Sequence, residues 1–222
     1  MAVASEGFDL IPSLLSAAEC ADLIAALGES ENAGRRGILA VDAVSKYAHS
    51  SKVTRLVRPF LSGEPRAVRG IFFDKSPAVN WNVAWHQDLT IAVREKRDVT
   101  GFGPWSVKAG VTHVQPPVGL LEQMITVRIH LDDAGESNGA LRVIPGSHSH
   151  GRLGSAATER IRSAAPESVC VAAAGDALLM RPLLLHASGR STSTLHRRII
   201  HIEYAGFSLP GGLEWYEQAC AR

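Results

Sequence analysis

From Pro65 to Gly206 the chain is a series of short, β-rich segments bounded by Gly, Pro, Asn or Asp, with no long helical pattern between them. These segments are "RAVRGIFFD", "NWNVAWHQ", "MITVRIHLDD", "GALRVIPG", "SVCVAAAGDALLMRPLLLHAS" and "RRIIHIEYAG". A parallel sheet needs a crossover connection, usually a helix, between its strands, so a doubly wound α/β fold is disfavoured. The pattern predicts a β-sandwich or jelly roll.

The part before this region, about residues 12–62, has helical periodicity instead. In "LSAAECADLIAALGE", Ser16 and Glu19 have the spacing of a capping box, and Gly28 follows as a plausible stop. A second helix is expected within "SSKVTRLVRPFLSG", weakened near its end by Pro59. We therefore predict one domain over residues 1–222, mainly β, with helices packed outside a β core at about 66–206.

The composition fits an ordinary globular domain: 45% of the 222 residues are hydrophobic and the net charge is +1. Such a charge gives no electrostatic footprint for nucleic acid. Cys20, Cys170 and Cys220 are scattered and form no CxxC pair, which disfavours a zinc-thiolate site or a disulfide framework and favours a reducing cytoplasm. The apolar stretch "IPSLLSAAECADLIAALG" is interrupted by Glu19 and Asp22, so neither a signal peptide nor a membrane association is predicted.

The stretch "AWHQDLT" places His86 and Asp88 two positions apart beside two tryptophans. Residues i and i+2 of a strand face the same side, so both side chains can point into one cavity. Two interpretations follow. The pair is either a capped turn at the end of a strand or two thirds of a metal site.

Two histidines and one carboxylate form the ligand set of non-haem Fe(II) oxygenases, so a distant third ligand is the next requirement. Among the nine histidines, His148 and His150 lie in a Pro/Gly turn, His49 in a helical region and His113 in a long irregular segment. His186 ends the apolar run "ALLMRPLLLHAS", where a buried polar ring needs a partner. It is either a hydrogen-bonded core residue or the third ligand.

Arg197 lies eleven positions after His186, at the start of the next strand. A buried arginine needs an anionic partner. A planar guanidinium can bind a carboxylate through two parallel hydrogen bonds, and a co-substrate would supply that carboxylate. Arg198 is the rival. If Arg197 points inward, so do Ile199, His201 and Glu203, while an apolar set faces the N-terminal helices: Ile200, Ile202 and Tyr204.

Taken in order, "WHQD", "SNGALRVIPGSH" and "HASG" with an arginine eleven residues after the histidine resemble the phytanoyl-CoA dioxygenase family. The resemblance covers roughly residues 14–206. The HxD motif alone is weakly specific, whereas the ordered set is strong. The resemblance implies a double-stranded β-helix (a cupin-like jelly roll) and an oxygenase that depends on Fe(II), 2-oxoglutarate and O2.

The resemblance also implies residue roles. His86, Asp88 and His186 would bind iron, Arg197 would bind the distal carboxylate of 2-oxoglutarate, and Ser188 would help to hold it. The implied reaction is hydroxylation of a small molecule with release of succinate and CO2. Desaturation, epimerisation or cyclisation at the same site, and a non-catalytic protein that binds metal or 2-oxoglutarate, remain alternatives.

One position departs from the family pattern. Family members often carry tryptophan in a "W-x-A-L-D" strand near the co-substrate, and Arg128 in "TVRIHLDD" occupies that position. By strand periodicity Thr126, Arg128 and His130 share a face. If that face lines the cavity, Arg128 could hold 2-oxoglutarate or an anionic substrate. Otherwise it lies on the outer face or pairs with a local acid.

The segment from about residue 90 to 117 is long and rich in Gly and Pro, which favours an irregular, hinged path. It begins two residues after Asp88, so its root is expected at the cavity mouth. We predict a lid over the iron, with Trp105, His113 and, from the neighbouring strand, His130 as substrate contacts. The alternative is a plain surface excursion.

Overall fold

The computed structural model describes residues 2–30 and 32–217. In chain order its helices are α1 (Val3–Glu6), α2 (Ala17–Leu27), α3 (Asp42–Ala48), α4 (Ser51–Val57), α5 (Val118–Leu121) and α6 (Ser155–Ala164). Its strands are β1 (Phe8–Ile11), β2 (Arg35–Arg36), β3 (Arg66–Lys75), β4 (Val83–His86), β5 (Ile91–Val93), β6 (Trp105–Lys108), β7 (Val111–Val114), β8 (Ile125–His130), β9 (Leu141–Val143), β10 (Ser168–Cys170), β11 (Ala177–Met180), β12 (His186–Ser188) and β13 (Arg197–Ala205).

The strands form three antiparallel sheets. A six-stranded sheet has the order β1-β11-β8-β13-β3-β2, and a four-stranded sheet has the order β10-β9-β12-β4. From β10 to β13 the successive strands alternate between these two sheets, as in a jelly roll. The predicted fold, mainly β with a double-stranded β-helix core and flanking helices, is confirmed.

The outer face of the six-stranded sheet carries the main apolar core. Ile200, Ile202 and Tyr204 of β13 lie in one cluster with Leu23 of α2 and Val53 of α4. The Tyr204 hydroxyl donates to the Ala48 carbonyl oxygen at 2.9 Å, which ties the sheet to the end of α3. The apolar face of β13 therefore packs beneath the N-terminal helices, as its alternation predicts.

The two predicted helices form with the predicted signals. In α2 the backbone N–H of Glu19 donates to Ser16 and the Glu19 carboxylate accepts from the Ser16 backbone, a complete capping box. Gly28, with φ 64°, follows its last turn. α4 ends at Val57, and Pro59 lies in the 3-10 turn beyond it. The other helices, α1, α3, α5 and α6, have no counterpart among the individual helices predicted from the sequence, although α3 lies within the predicted helical region.

The segment 90–117 is more ordered than predicted. It contains β5, β6 and β7, which form the third sheet in the order β5-β7-β6. Ile91, Val93 and Val114 pack in an apolar cluster with Leu213 and Trp215 from the end of the described chain. The expectation of an irregular path is wrong for these strands, because β5 and β6 both pair with β7, and the sheet packs against residues more than ninety positions further along the chain.

Cys20 and Cys170 are buried free thiols, and Cys220 lies outside the described residues. Within residues 2–30 and 32–217, no helix is both long enough and apolar enough to cross a bilayer.

Candidate active site

His86 and His186 face each other across two neighbouring strands. They are direct partners in the antiparallel register of β4 and β12, and their ring centroids are 4.2 Å apart. Asp88 follows β4, with its backbone N–H held by the Pro182 carbonyl oxygen at 2.8 Å. Its two carboxylate oxygens lie 3.9 Å from Nε2 of His86 and 3.8 Å from Nε2 of His186. Three potential ligand atoms therefore lie within 4.8 Å of one another.

Backbone carbonyls fix the ring tautomers of both histidines. Nδ1 of His86 lies 2.8 Å from the Ala84 oxygen, and Nδ1 of His186 lies 2.8 Å from the Leu184 oxygen. A carbonyl oxygen only accepts, so each Nδ1 carries the proton and each Nε2 presents a lone pair towards Asp88. Metal-binding histidines commonly donate a hydrogen bond from the ring nitrogen that does not face the metal, as both rings do here.

The charge state of the site also suits a cation. Burial lowers the pKa of His186 to about 4, so its ring is neutral near pH 7. Burial acts to raise the pKa of Asp88, but His186, His201, His86 and Arg69 outweigh it and hold that pKa below its ordinary value. Neutral imidazoles and an ionised carboxylate are the forms that bind a metal ion. One carboxylate and two imidazoles fit a divalent ion with open coordination positions.

Gln87, between the two HxD ligands, turns to the other side of the strand. Its side-chain amide donates to the carbonyl oxygens of Leu183 at 2.7 Å and Gly151 at 2.8 Å, and its oxygen accepts from the Leu153 backbone at 2.8 Å. The residue thereby ties the ligand strand to the segments that precede β12 and α6. This role is not apparent from the sequence alone, because it depends on contacts with residues 64 to 96 positions away.

A cavity of about 170 Å³ opens beside the three ligands, between the two larger sheets. One wall, from β3, β8 and β13 of the six-stranded sheet, carries the buried cations together with Ile71 and Phe73. The other, from β4, β9 and β12 of the four-stranded sheet, adds the apolar side chains of Val83 and Leu141 to the metal-ligand candidates. Besides the ligands, the lining residues are Arg69, Ile71, Phe73, Trp81, Val83, Arg128, Leu141, Ser188, Arg197 and His201.

Arg197 and Arg198 lie in opposite environments. Arg197 is 2% exposed, lines the cavity, and has no hydrogen-bond partner for Nε and Nη1 among the described residues. Burial, with Arg128 nearby, lowers the pKa of Arg197 to about 9. Arg198 instead makes two hydrogen bonds to Asp132, both at 2.7 Å, away from the cavity. The inward residue of the pair is therefore Arg197.

Lys75 is the direct partner of Arg197 in the register of β3 and β13. It was not among the site residues predicted from the sequence. It is fully buried, and its Nζ donates to Ser188 Oγ at 3.0 Å and to the Gly189 carbonyl oxygen. Burial, with Arg197 and Arg128 nearby, lowers the pKa of Lys75 to about 7. Strand periodicity places Lys75 on the same face as Arg69, Ile71 and Phe73, a signal that could have revealed it.

Arg128 also points inward and lines the cavity, which is the first of the two interpretations given for it from the sequence. Its Nη1 donates to Nδ1 of His201 at 2.9 Å, which leaves the His201 proton on Nε2, 3.5 Å from Glu203. Glu203 in turn forms an ion pair with Arg69, whose Nη1 donates to the Thr90 carbonyl oxygen at 2.9 Å. A chain of polar groups thus crosses the cavity wall opposite the ligands.

The predicted substrate contacts Trp105, His113 and His130 do not line this cavity. Trp105 packs against the apolar cluster of the third sheet, and His113 is buried within that sheet with Nδ1 on the Val111 oxygen at 2.9 Å. His130 shares the inward face of β8 with Arg128 but is fully buried. Their proposed contacts to substrate have no support from this geometry.

A family model for phytanoyl-CoA dioxygenase matches residues 4–199. A search of curated proteins found no match. Among solved structures, AviO1 from Streptomyces viridochromogenes Tue57 is 21% identical, with 95% of this chain and 93% of that chain covered and a TM-score of 0.67.

Two further structures resemble the fold. SnoK, a non-haem alpha-ketoglutarate dependent carbocyclase from nogalamycin biosynthesis, is 15% identical over 91% of this chain and 81% of its own, with a TM-score of 0.68. HygX from Streptomyces hygroscopicus, solved with nickel and 2-oxoglutarate bound, is 18% identical over 91% and 84%, with a TM-score of 0.65. Since the family model spans most of the sequence, this chain belongs to the phytanoyl-CoA dioxygenase family of non-haem Fe(II)- and 2-oxoglutarate-dependent oxygenases.

Proposed function

We propose that His86, Asp88 and His186 hold the catalytic Fe(II). The observation that carries this assignment is the convergence of two Nε2 lone pairs and one ionised carboxylate within 4.8 Å. The backbone carbonyls behind both rings keep the lone pairs aimed at the same point. A three-ligand site of this kind leaves positions for a co-substrate and for oxygen.

The distal carboxylate of 2-oxoglutarate is assigned to Arg197, with Lys75 and Ser188 beside it. Buried cations without anionic partners are costly, and a carboxylate between Arg197 and Lys75 would relieve that cost. The two unpartnered nitrogens of Arg197 suit a carboxylate contact. Lys75 holds the Ser188 hydroxyl in place through a direct hydrogen bond.

Iron and 2-oxoglutarate supply the oxidising chemistry when bound, and the co-substrate leaves as succinate and CO2. The protein side chains position the reactants and restrict water. Phe73, Ile71 and Leu141 form a largely apolar boundary to the cavity, which favours a C–H bond of a substrate over bulk water near the metal.

The substrate of this proposal is a small molecule, because the cavity is small and lies between the sheets. Hydroxylation is the proposed outcome. The description of SnoK as a carbocyclase keeps ring formation as a second outcome on this scaffold. A cytoplasmic location is part of the same proposal and rests on the scattered, unpaired cysteines.

The test combines metal binding with turnover. Asp88→Ala removes the carboxylate that faces both rings, so we expect an affinity for Fe(II) or Ni(II) at least about tenfold weaker, and no iron-dependent succinate release. Asp132→Ala, which removes a carboxylate outside the cavity, is the matched control and should keep both properties. Wild-type metal affinity and succinate release in Asp88→Ala would exclude the assignment.

A further inference from the structure

Arg128 is a buried guanidinium on the cavity wall without a carboxylate partner in the described chain. It is 6% exposed and lines the cavity. Its one hydrogen bond to a side chain goes to the imidazole of His201, and its Nε has no partner. Its guanidinium lies 5.6 Å from the Phe73 ring centroid, a contact that steadies the cation without neutralising it.

The other charges of the cavity are matched once the site is loaded as proposed. Asp88 and the metal-binding carboxylate of 2-oxoglutarate balance a divalent ion. The single charge of the distal carboxylate of 2-oxoglutarate is balanced by Arg197, while Lys75, which is not a lining residue, donates to Ser188 and to the Gly189 carbonyl oxygen. Arg69 is already paired with Glu203. Among the described lining residues, Arg128 then remains as a guanidinium whose charge is unmatched.

We propose that the primary substrate is a small carboxylic acid and that Arg128 binds its carboxylate. This inference rests on the proposed function, because it assumes that 2-oxoglutarate occupies the Arg197 end of the cavity. A planar guanidinium can bind a carboxylate through two parallel hydrogen bonds. Such a contact would balance the buried charge that the protein itself leaves unmatched.

The apolar lining indicates what the rest of the substrate is. Val83 and Leu141 of the four-stranded sheet, and Ile71 beside His201 in the six-stranded sheet, present apolar surface to the cavity into which Arg128 points. A carboxylate fixed at Arg128 therefore leaves the body of the molecule against hydrocarbon. The substrate class is an acid with an apolar body, whose C–H bond is oriented towards the metal by its charged end.

A carboxylate at Arg128 could also come from 2-oxoglutarate itself, and the experiment separates the two sources. Protein loaded with Ni(II) and 2-oxoglutarate, which does not turn over, is titrated with butyrate, hexanoate and benzoate, and with the amide of each. Ligand-observed NMR measures the dissociation constants. Three variants are compared with the wild type: Arg128→Gln, Arg128→Lys and, as a control outside the cavity, Arg198→Gln.

We expect at least one acid to bind the wild type about tenfold or more tightly than its amide, and Arg128→Gln to remove that preference. Arg128→Lys should keep part of it, and Arg198→Gln all of it. The affinity of Arg128→Gln for 2-oxoglutarate should stay within about threefold of wild type, which also shows that the variant folds.

Equal binding of every acid and its amide by the wild type, or no binding of any acid, would overturn the proposal. So would a loss of 2-oxoglutarate affinity in Arg128→Gln as large as in Arg197→Gln, because Arg128 would then serve the co-substrate. Failure of the wild type to bind Ni(II) and 2-oxoglutarate would instead refute the proposed function. The acid titration of metal-free protein would still report on Arg128 in that case.

Discussion

The face of the strand on which a residue lies decides its role, as two adjacent arginines show. Arg197 faces the cavity and Arg198 faces Asp132. In Arg197→Gln the distal carboxylate of 2-oxoglutarate loses a buried cationic partner. We therefore expect the binding free energy of 2-oxoglutarate to weaken by roughly 2–5 kcal/mol. Calorimetric titration of the Ni(II)-loaded protein with 2-oxoglutarate measures this directly.

Arg198→Gln is the matched control for that titration. It removes two hydrogen bonds to Asp132 at the partly exposed end of the same strand, so we expect a small loss of stability and unchanged affinity for 2-oxoglutarate. The same weakening in both variants would contradict the assignment of Arg197 to the co-substrate.

At the residue scale, the sequence identified the candidate ligands because their chemistry and spacing are local. His86 and Asp88 share a strand face, and His186 ends an apolar run. Local geometry alone is not specific, since His113 makes the same ring contact to a carbonyl two residues earlier. Lys75 was missed because its significance depends on β3 pairing with β13, a contact between distant parts of the chain.

At the element scale, the third sheet tests whether segment 90–117 is packed or loose. Val114 of β7 is fully buried in the apolar cluster, whereas Val107 of β6 is 70% exposed. We expect Val114→Ala to lower the free energy of unfolding by roughly 2 kcal/mol because it leaves a cavity. Val107→Ala should cost less than about 1 kcal/mol. Urea denaturation of both variants measures the difference.

Equal, small effects of the two substitutions would mean that the sheet is not held to the body, as a freely opening lid would require. The sequence could not predict this packing. Gly101, Gly103 and Gly110 mark real turns, but the residues that cover β5 and β7 come from the end of the chain. The backbone N–H of Tyr216, for example, donates to the Ala92 carbonyl oxygen at 3.1 Å.

At the scale of the whole molecule, strand alternation separates two kinds of interior. Odd positions of β13 from Arg197 to Glu203 face the space between the sheets, and even positions from Ile200 to Tyr204 face the helices. This division could be predicted from the sequence once Arg197 was taken as inward. The face of β8 on which the Arg128 side chain lies could not be predicted in this way. It depends on which residue of β13 lies opposite Arg128, and that residue is His201.

The polar interior should make the stability of the whole protein depend on pH. His130 is fully buried, and neither ring nitrogen has a hydrogen-bond partner in the described chain. Burial, together with Arg128 and Arg197, lowers the pKa of His130 from 6.5 to about 3. Between these two values the unfolded chain binds a proton at this ring and the folded protein does not. The free energy of unfolding therefore falls as the pH falls, by about 1.4 kcal/mol per pH unit from this group.

In His130→Phe, an aromatic ring of similar size cannot take up a proton, so this contribution to the pH dependence is removed. Below pH 6.5 the stability of the wild type should fall more steeply than that of the variant, by about 1.4 kcal/mol per pH unit. The buried rings of His186 and His201, whose pKa values are also lowered by burial, keep part of the slope in both proteins. Urea denaturation of metal-free protein from pH 7 downwards measures the two slopes. Parallel curves would show that His130 is protonated in the folded protein and would contradict its isolation from hydrogen-bond partners. A difference that grows with acidity would show that the fold keeps this ring neutral beside the two arginines of the cavity.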